Sequence, residues 1–259
     1  MRSQPTATLM EWAGGFDEAH HSGTSIFDPL LCELVYRWFA PPGGMVLDPF
    51  AGGSVRGIVA ARLGLRYTGV DLSARQLAAN EEQARELIAK RRDRPRWIEG
   101  DSRQIEKLAP GNYDLIFSCP PYADLEQYSD DPADISNMSF ADFLSAYRAI
   151  IKATTAMLKP DRFAVFVIGD VRDDRGFYRK LPWLTIEAFE NAGARLYNEA
   201  VLITAFGSLP IRAARPFAKF RKLGKTHQNV LVFFKGDPAH IPAEFPEVQF
   251  DPAIIDSWT

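Results

Sequence analysis

The sequence of 259 residues contains little cysteine and no long apolar run. Its two cysteines, Cys32 and Cys119, are far apart, which excludes a disulfide scaffold and a cysteine-rich zinc site and fits a reducing cytoplasm. No apolar segment approaches the length that spans a bilayer, so an integral membrane protein is not expected. The N-terminal segment also lacks the apolar core of a secretory signal, and we therefore expect a cytoplasmic location.

An excess of basic charge is also lacking. The chain has 30 lysine and arginine residues against 33 aspartate and glutamate residues, a net charge of −3. This balance excludes a protein that coats nucleic acid without specificity but is compatible with a local basic patch. The adjacent His20 and His21 are badly placed to share a metal ion, and no metal site is predicted. Neither a repeat nor a Gly/Ser linker divides the chain, so we expect one domain over residues 1–259.

Apolar strands alternate with amphipathic helices along most of the chain. This alternation is typical of βαβ units and predicts an α/β fold, with a mostly parallel sheet of seven strands, helices on both faces and one antiparallel strand. The segment 206–228 shows no helical pattern and predicts a basic loop with an antiparallel return at the sheet edge, and the tail 237–259 is expected to be extended on the surface. The predicted strands are Met45–Phe50, Arg66–Leu72, Arg96–Asp101, Tyr113–Cys119, Arg162–Asp170, Ala194–Ala205 and Asn229–Lys235. The predicted helices are Pro29–Ala40, Gly53–Leu63, Ser73 to Lys90, Phe140–Leu158 and Leu181–Ala192.

A glycine-rich turn follows the first predicted strand. Residues Asp48–Ser54 read Asp-Pro-Phe-Ala-Gly-Gly-Ser, and glycines let a backbone approach a ligand closely. The second strand ends at Asp71, about twenty residues later, which is the spacing of a carboxylate that binds ribose hydroxyls. The third strand ends at Asp101, although an aspartate at a strand end also fits the N-cap of the next helix. The turn lacks the lysine and Ser/Thr of a phosphate loop, which disfavours ATP and GTP.

The fourth predicted strand ends in Ser-Cys-Pro-Pro-Tyr, residues 118–122. With the earlier Asp48–Ser54 turn, this segment resembles the DNA amino-methyltransferases, which transfer a methyl group from S-adenosylmethionine to the exocyclic amine of cytosine or adenine. The resemblance covers residues 25–236 and implies a class I, Rossmann-like methyltransferase fold. Phe27 belongs to a segment that looks like the one packing against the methionine part of the cofactor. The implied cofactor contacts are Phe27, Asp48, Pro49, Phe50, Ala51, Gly52, Gly53, Ser54, Asp71, Leu72, Asp101 and Ser102.

The resemblance also implies catalytic roles for residues 119–122. An aromatic amine is a poor nucleophile because its lone pair is delocalised into the ring. In this family the side chain at position 119 and the carbonyl of Pro120 accept hydrogen bonds from the amine and localise that lone pair. Pro121 and Pro120 stiffen the turn, and Tyr122 stacks on the extruded base.

Position 119 is cysteine, where the family usually has Asp, Asn or Ser, and a thiol is a weak acceptor. In one interpretation Cys119 replaces serine, which is typical of cytosine N4 methylation, so cytosine N4 is expected ahead of adenine N6. In a second, the Cys119 thiolate adds to a pyrimidine ring as in ring-carbon methylation, although the nucleophile of those enzymes follows a proline. In a third, Cys119 is inert and the protein binds DNA without methylating it. An RNA or nucleoside methyltransferase also stays open, because the motif serves any flat amine.

Three segments emerge where the strands end, namely the acidic 123–139, the mixed 171–180 and the basic 206–228. The basic segment carries Phe217 and Phe220 between its cations and has no acid, so we expect it to contact DNA phosphates. A solvated edge loop is the alternative. A homodimer, a restriction system with a partner nuclease and a stand-alone or phage role all stay open. The predicted DNA contacts are Arg212, Arg215, Lys219, Arg221, Lys222 and Lys225.

Overall fold

The computed structural model describes residues 27–122, 134–203 and 209–248. Every strand and helix predicted from the sequence has a counterpart there, with bounds shifted at some ends. The strands are β1 (Met45–Asp48), β2 (Arg66–Asp71), β3 (Arg96–Glu99), β4 (Tyr113–Ser118), β5 (Leu158–Ile168), β6 (Arg195–Ile203) and β7 (His227–Lys235). The helices are α1 (Pro29–Phe39), α2 (Val55–Arg62), α3 (Ala74–Leu87), α4 (Ile105–Leu108), α5 (Phe140–Met157), α6 (Leu181–Asn191), α7 (Leu209–Phe220) and α8 (Ile241–Glu244).

Within the described residues, the strands form one seven-stranded sheet in the order β3-β2-β1-β4-β5-β7-β6. Strand β7 runs antiparallel to both of its neighbours, whereas the other adjacent pairs are parallel. The predicted mostly parallel sheet with one antiparallel strand is therefore confirmed. The antiparallel strand was expected at the sheet edge, but β7 lies between β5 and β6, so β6 is the edge strand.

Both faces of the sheet are apolar and covered by helices. Along β5, Phe163 and Val165 pack on one face with residues of α1, α2 and α3. Ala164 and Phe166 pack on the opposite face with residues of α5 and α6. Successive side chains of a strand point to opposite faces, so this uninterrupted apolar run identifies a strand that is buried on both sides.

Local sequence signals fix where the helices begin. The Asp28 carboxylate caps α1 by accepting hydrogen bonds from the amides of Leu30 (2.8 Å) and Leu31 (3.3 Å), and proline at position 29 suits the first helical turn. Ser73 caps α3 by accepting a hydrogen bond from the Gln76 amide at 3.2 Å, as the sequence predicts. These local hydrogen bonds define the first turn of each helix.

Two expectations about irregular segments are wrong. Residues 206–228 were expected to lack a helix, but they contain α7. Pro210 lies in its first turn, where proline is tolerated, and Pro216 lies in its interior, where proline removes a backbone donor. The tail from residue 237 was expected to be extended, but Pro238–His240 form a 3-10 turn that leads into α8.

Part of the chain on which expectations were placed lies outside the described residues. It comprises residues 1–26, which include His20 and His21, most of the acidic segment (123–133), residues 204–208 and the tail from 249.

The topology defines where a ligand site is expected. Strands β1 and β4 are neighbours in the sheet. From β1 the chain continues outward to β2 and β3, and from β4 it continues in the opposite direction to β5, so the strand order reverses between them. Ligands of open α/β sheets bind beside the carboxyl ends of the strands at such a point. Because β6 runs parallel to β5, the connection from β6 to β7 that contains α7 lies at this same edge.

Candidate active site

Asp48 joins the glycine-rich turn to the end of β4. Its Oδ1 accepts hydrogen bonds from the Ser118 hydroxyl at 2.6 Å and from the Phe50 amide at 3.1 Å. Its Oδ2 accepts from Nε of Arg56 at 2.6 Å and from the Tyr67 hydroxyl at 2.7 Å. The Asp48 side chain is fully buried and each oxygen has two protein donors. Asp48 therefore holds the two predicted motifs side by side, and both of its oxygens are used by donors of the protein itself.

Arg56 is a buried cation that closes the same turn from α2. Its Nη2 donates to the carbonyls of Phe50 (2.7 Å) and Ala51 (3.0 Å), and its guanidinium lies 4.6 Å from the ring centre of Phe27. Burial alone would lower the pKa of Arg56, but the Asp48 carboxylate raises it above its ordinary value, so the side chain is charged. Sequence reasoning missed Arg56. The available signal was a single cation among apolar residues directly after the glycine turn.

The glycine turn is tied to the second strand and is open on one side. Gly52 has a φ of +49°, which favours glycine, and its amide donates to Oδ2 of Asp71 at 2.8 Å. The Gly52 carbonyl accepts from Nδ2 of Asn80 at 2.7 Å. A Cβ atom built on Gly52 or on Gly53 would meet nothing within 4 Å. The backbone of the turn is thus rigidly held, with free space beside both glycines.

The acidic strand ends have different surroundings. Asp71 is partly exposed and accepts hydrogen bonds from the amides of Gly52 and Ser73, the latter at 2.9 Å. Burial raises the pKa of Asp71 and these two hydrogen bonds oppose the rise without cancelling it. Asp101 caps a 3-10 turn and pairs with Arg103, with 2.7 Å between Oδ2 and Nε, which matches the N-cap interpretation. Asp71, beside the partly exposed Leu72, is therefore the better placed of the two acids to meet a ligand.

Other predicted cofactor contacts lie inside the protein. The Ser102 hydroxyl donates to the Pro49 carbonyl at 2.6 Å, and the Ser54 hydroxyl donates to the side-chain oxygen of Gln83. Both serines are buried. Their hydroxyls therefore fasten the turn to its neighbours. The partly exposed members of the predicted set are Phe27, Phe50, Gly52, Asp71, Leu72 and Asp101, and Gly53 is exposed.

The Cys119–Tyr122 turn follows β4 at the same sheet edge. Sγ of Cys119 lies 4.0 Å from the Tyr122 hydroxyl, to which Nε2 of Gln228 also donates a hydrogen bond. A Cβ built on Gly169 would lie 3.5 Å from the Tyr122 ring, so this ring rests against the backbone at the end of β5. Burial, followed by the neighbouring Cys119, raises the pKa of Tyr122, which keeps the phenol neutral. Cys119, Pro121 and Tyr122 are partly exposed, and Pro120 is buried. Gln228 carried no motif signal and was not predicted.

The predicted basic residues lie on α7 and the segment after it. Arg215 and Lys219 are exposed on the helix. Nη1 of Arg221 donates to the Phe217 carbonyl at 3.2 Å, so Arg221 also caps the end of α7. Burial lowers the pKa of Lys225, and the nearby Asp170 carboxylate partly opposes this shift. Lys222 is half-buried beside Gly176, and the side chain of Arg212 lies outside the described part of the chain.

Neither a membrane-spanning helix nor a cluster of metal-ligating side chains is found among the described residues. No helix among them is both long enough and apolar enough to cross a membrane. Across residues 27–122, 134–203 and 209–248, no three His, Cys, Asp or Glu side chains are grouped so that they could hold a metal ion.

Solved structures with a similar fold include several methyltransferases. A methyltransferase from Pyrococcus furiosus matches with a TM-score of 0.53 and 18% identity over 88% of this chain and 94% of its own. Magnesium protoporphyrin IX methyltransferase (ChlM) from Synechocystis PCC 6803, solved with bound SAM, matches with a TM-score of 0.53 and 15% identity over 80% of this chain and 79% of its own. TrmN from Thermus thermophilus matches with a TM-score of 0.55 and 18% identity over 83% of this chain and 51% of its own, so this chain spans about half of that protein.

No protein-family model matches the sequence, and no curated protein matches it significantly. The structural matches establish that the chain has the class I, Rossmann-like methyltransferase fold. At these identities they show the fold alone.

Proposed function

We propose that this protein is an S-adenosylmethionine-dependent methyltransferase that acts on an exocyclic base amine in DNA, with cytosine N4 ahead of adenine N6. The observation that carries the proposal is the 2.6 Å hydrogen bond from Ser118 to Asp48. This bond joins the glycine turn to the Cys119–Tyr122 turn at the point where the strand order reverses. Methyl transfer requires the methyl donor and the base amine to meet at such a shared site.

The residues around the glycine turn fit the cofactor. The space beside Gly52 and Gly53 admits a ligand against the backbone, and the two further lone pairs of the Asp71 carboxylate suit the ribose hydroxyls. Phe27 and Leu72 are partly exposed apolar side chains that would border the ligand. When bound there, S-adenosylmethionine supplies a methyl group already activated by a positively charged sulfur. What this chain must add is mainly alignment.

The Cys119–Tyr122 turn supplies groups that suit a flat amine. The carbonyl of Pro120 accepts a hydrogen bond from the amine, which localises the nitrogen lone pair. Cys119 is a weak second acceptor, so the carbonyl carries the larger share. Tyr122 offers a ring for stacking, and its position is set by Gly169 behind it and by Gln228 at its hydroxyl. The bond between Ser118 and Asp48 holds the start of this turn in register with the glycine turn.

Methyl-transfer assays test the proposal. The purified protein is incubated with S-adenosylmethionine and with DNA, RNA of the same sequence or free nucleosides, and the digested products are identified by mass spectrometry. We expect N4-methylcytosine in DNA. Methylation of RNA alone, or no transfer to any of the three substrates, would contradict the proposal.

Two cysteine variants distinguish amine methylation from ring-carbon methylation, the two chemistries that stay open at position 119. Cys119→Ser keeps an acceptor, so activity is retained if the thiol only accepts a hydrogen bond. Complete loss, together with a covalent adduct between the unmodified protein and DNA containing 5-fluorocytosine, would identify ring-carbon chemistry instead. Cys32→Ala is the matched control for loss of a thiol, because Cys32 lies on the buried face of α1, away from the Cys119–Tyr122 turn in sequence and in the core of the protein.

A further inference from the structure

Exposed aromatic rings beside cations mark two neighbouring elements. The hairpin arm, residues 171–180, carries Phe177 and Tyr178, which are 65% and 41% exposed. The helical arm, α7 with residues 221–225, carries Phe217 and Phe220, which are 47% and 61% exposed. Each ring has a cation within 6 Å of its centre: Arg175 at 5.9 Å from Phe177, Arg172 at 3.9 Å from Tyr178, Arg221 at 5.9 Å from Phe217 and Lys219 at 4.9 Å from Phe220.

The two arms meet and form one surface. A Cβ built on Gly176, at the tip of the hairpin arm, would lie 2.5 Å from Cε and Nζ of Lys222 in the helical arm. Nζ of Lys222 also lies 5.6 Å from the ring centre of Phe220. Lys222 is thus shared between the arms, with Phe220 beside it and Phe177 next to Gly176 in the chain.

The hairpin arm is built to keep its shape. Arg172 and Tyr178 pair across it in an antiparallel bridge, and Nη1 of Arg172 donates to the Gly176 carbonyl at 2.8 Å. The Asp173 carboxylate accepts from the Phe177 amide at 2.8 Å and is therefore used within the turn. A preorganised hairpin presents its rings at little entropic cost on binding.

Both arms lead back to Tyr122. Gly169, whose backbone supports the Tyr122 ring, is followed by Asp170, which closes the hairpin arm by accepting from the amides of Val171 (3.0 Å) and Leu181 (3.1 Å). The helical arm continues into β7, where Gln228 donates to the Tyr122 hydroxyl. The ends of both arms therefore adjoin the Cys119–Tyr122 turn.

The chemistry of this surface selects its occupant. Residues 209–225 contain six lysines and arginines and no acid, and residues 171–180 contain four lysines and arginines against two aspartates, so the surface carries a net positive charge and suits an anionic partner. Exposed rings interleaved with cations suit an unpaired polynucleotide strand, whose bases stack on the rings while its phosphates pair with the cations. A duplex keeps the faces of its bases inside the stack, so it gains only the phosphate contacts.

We propose that the two arms bind the unpaired strand of DNA by stacking, so that the substrate is single-stranded or locally opened DNA. The choice of DNA rests on the proposed function, whereas the stacking surface is derived from the arms alone.

Binding without cofactor tests this proposal independently of methyl transfer. Fluorescence anisotropy would compare a labelled 20-nucleotide DNA strand, its duplex and the RNA strand of the same sequence. We expect the single DNA strand to bind at least about tenfold tighter than the duplex, and Phe177→Ala or Phe220→Ala to weaken it at least about fivefold while changing duplex binding little. The control is Trp38→Ala, which also removes an exposed aromatic ring. Trp38 lies near the end of α1, shortly before β1 begins at the opposite edge of the sheet.

Equal affinity for single strand and duplex, or unchanged affinity in both arm variants, would overturn the proposal. Tighter binding of the RNA strand than of the DNA strand would contradict DNA as the ligand while retaining the stacking surface. Because no methyl transfer is measured, a failure of the proposed chemistry leaves these results unaffected, and a failure of binding leaves the chemistry to its own assay.

Discussion

Replacing Arg56 with methionine removes one partner of the buried ion pair under the glycine turn. The Arg56 and Asp48 side chains are 6% and 0% exposed, and their atoms Nε and Oδ2 are 2.6 Å apart. The variant leaves the Asp48 carboxylate buried with three donors and removes the donor from the carbonyls of Phe50 and Ala51. Breaking a buried pair in this way costs about 3–5 kcal/mol of the free energy of unfolding.

Urea unfolding measures that loss. With a slope of about 2 kcal/mol per molar urea, the midpoint of Arg56→Met is expected to fall by about 1.5–2.5 M. The control is Arg85→Met, whose side chain is 61% exposed and pairs with Glu81 at 3.1 Å, because an exposed pair contributes only about 0–1 kcal/mol. A double variant, Arg56→Met with Asp48→Leu, should be less destabilised than the sum of its single changes, since it leaves no unpaired buried charge. If Arg56→Met shifts the midpoint no more than Arg85→Met does, the stabilising role of the buried Arg56–Asp48 pair is refuted.

Three further changes probe separate parts of the account. Gly53→Leu places a side chain in open space, so the free energy of unfolding should change little while calorimetric binding of S-adenosylhomocysteine weakens at least about tenfold; unimpaired binding would count against this turn as the cofactor site. Gly57→Ala directs a Cβ to 2.7 Å from the Trp97 ring, so urea unfolding should show a loss of about 1–3 kcal/mol, and a neutral result would contradict the tight contact. The hydrogen bond that protonated His240 donates to the Asp161 carboxylate raises the pKa of His240 above its ordinary 6.5, so this contact stabilises the fold below pH 6.5 and its contribution disappears as the pH rises through the pKa of the folded state. An NMR titration of Asp161→Asn should show the His240 pKa falling toward its ordinary value, and an unchanged pKa would refute the assignment.

The parts of the fold that follow from the sequence are those set by local periodicity. The β5 run is apolar at every position from Phe163 to Ile168, and the caps at Asp28 and Ser73 are local hydrogen bonds. The strand and the two helix starts could therefore be predicted from the sequence. Helix α7 was not, because Pro210 and Pro216 suggest a break that the helix accommodates. The position of β7 between β5 and β6 depends on long-range pairing, which no local pattern encodes.

In the candidate site, too, the local features could be predicted and the long-range contacts could not. Contiguous motifs such as the glycine turn and residues 119–122 were visible in the sequence. The contacts that orient them were not, because Arg56, Ser118 and Gln228 reach their partners only through the packing of different strands and helices. Asp48 was predicted as a ligand contact from its place in the motif, and only the structure shows that four protein donors surround it.

The most direct test of the central claim is a crystal structure of the protein with S-adenosylhomocysteine. The account predicts the ribose at the Asp71 carboxylate, the rest of the ligand in contact with the backbone of Gly52 and Gly53, and the sulfur facing the carbonyl of Pro120. A ligand bound elsewhere, or bound with its sulfur turned away from the Cys119–Tyr122 turn, would contradict the claim that these two turns form one active site.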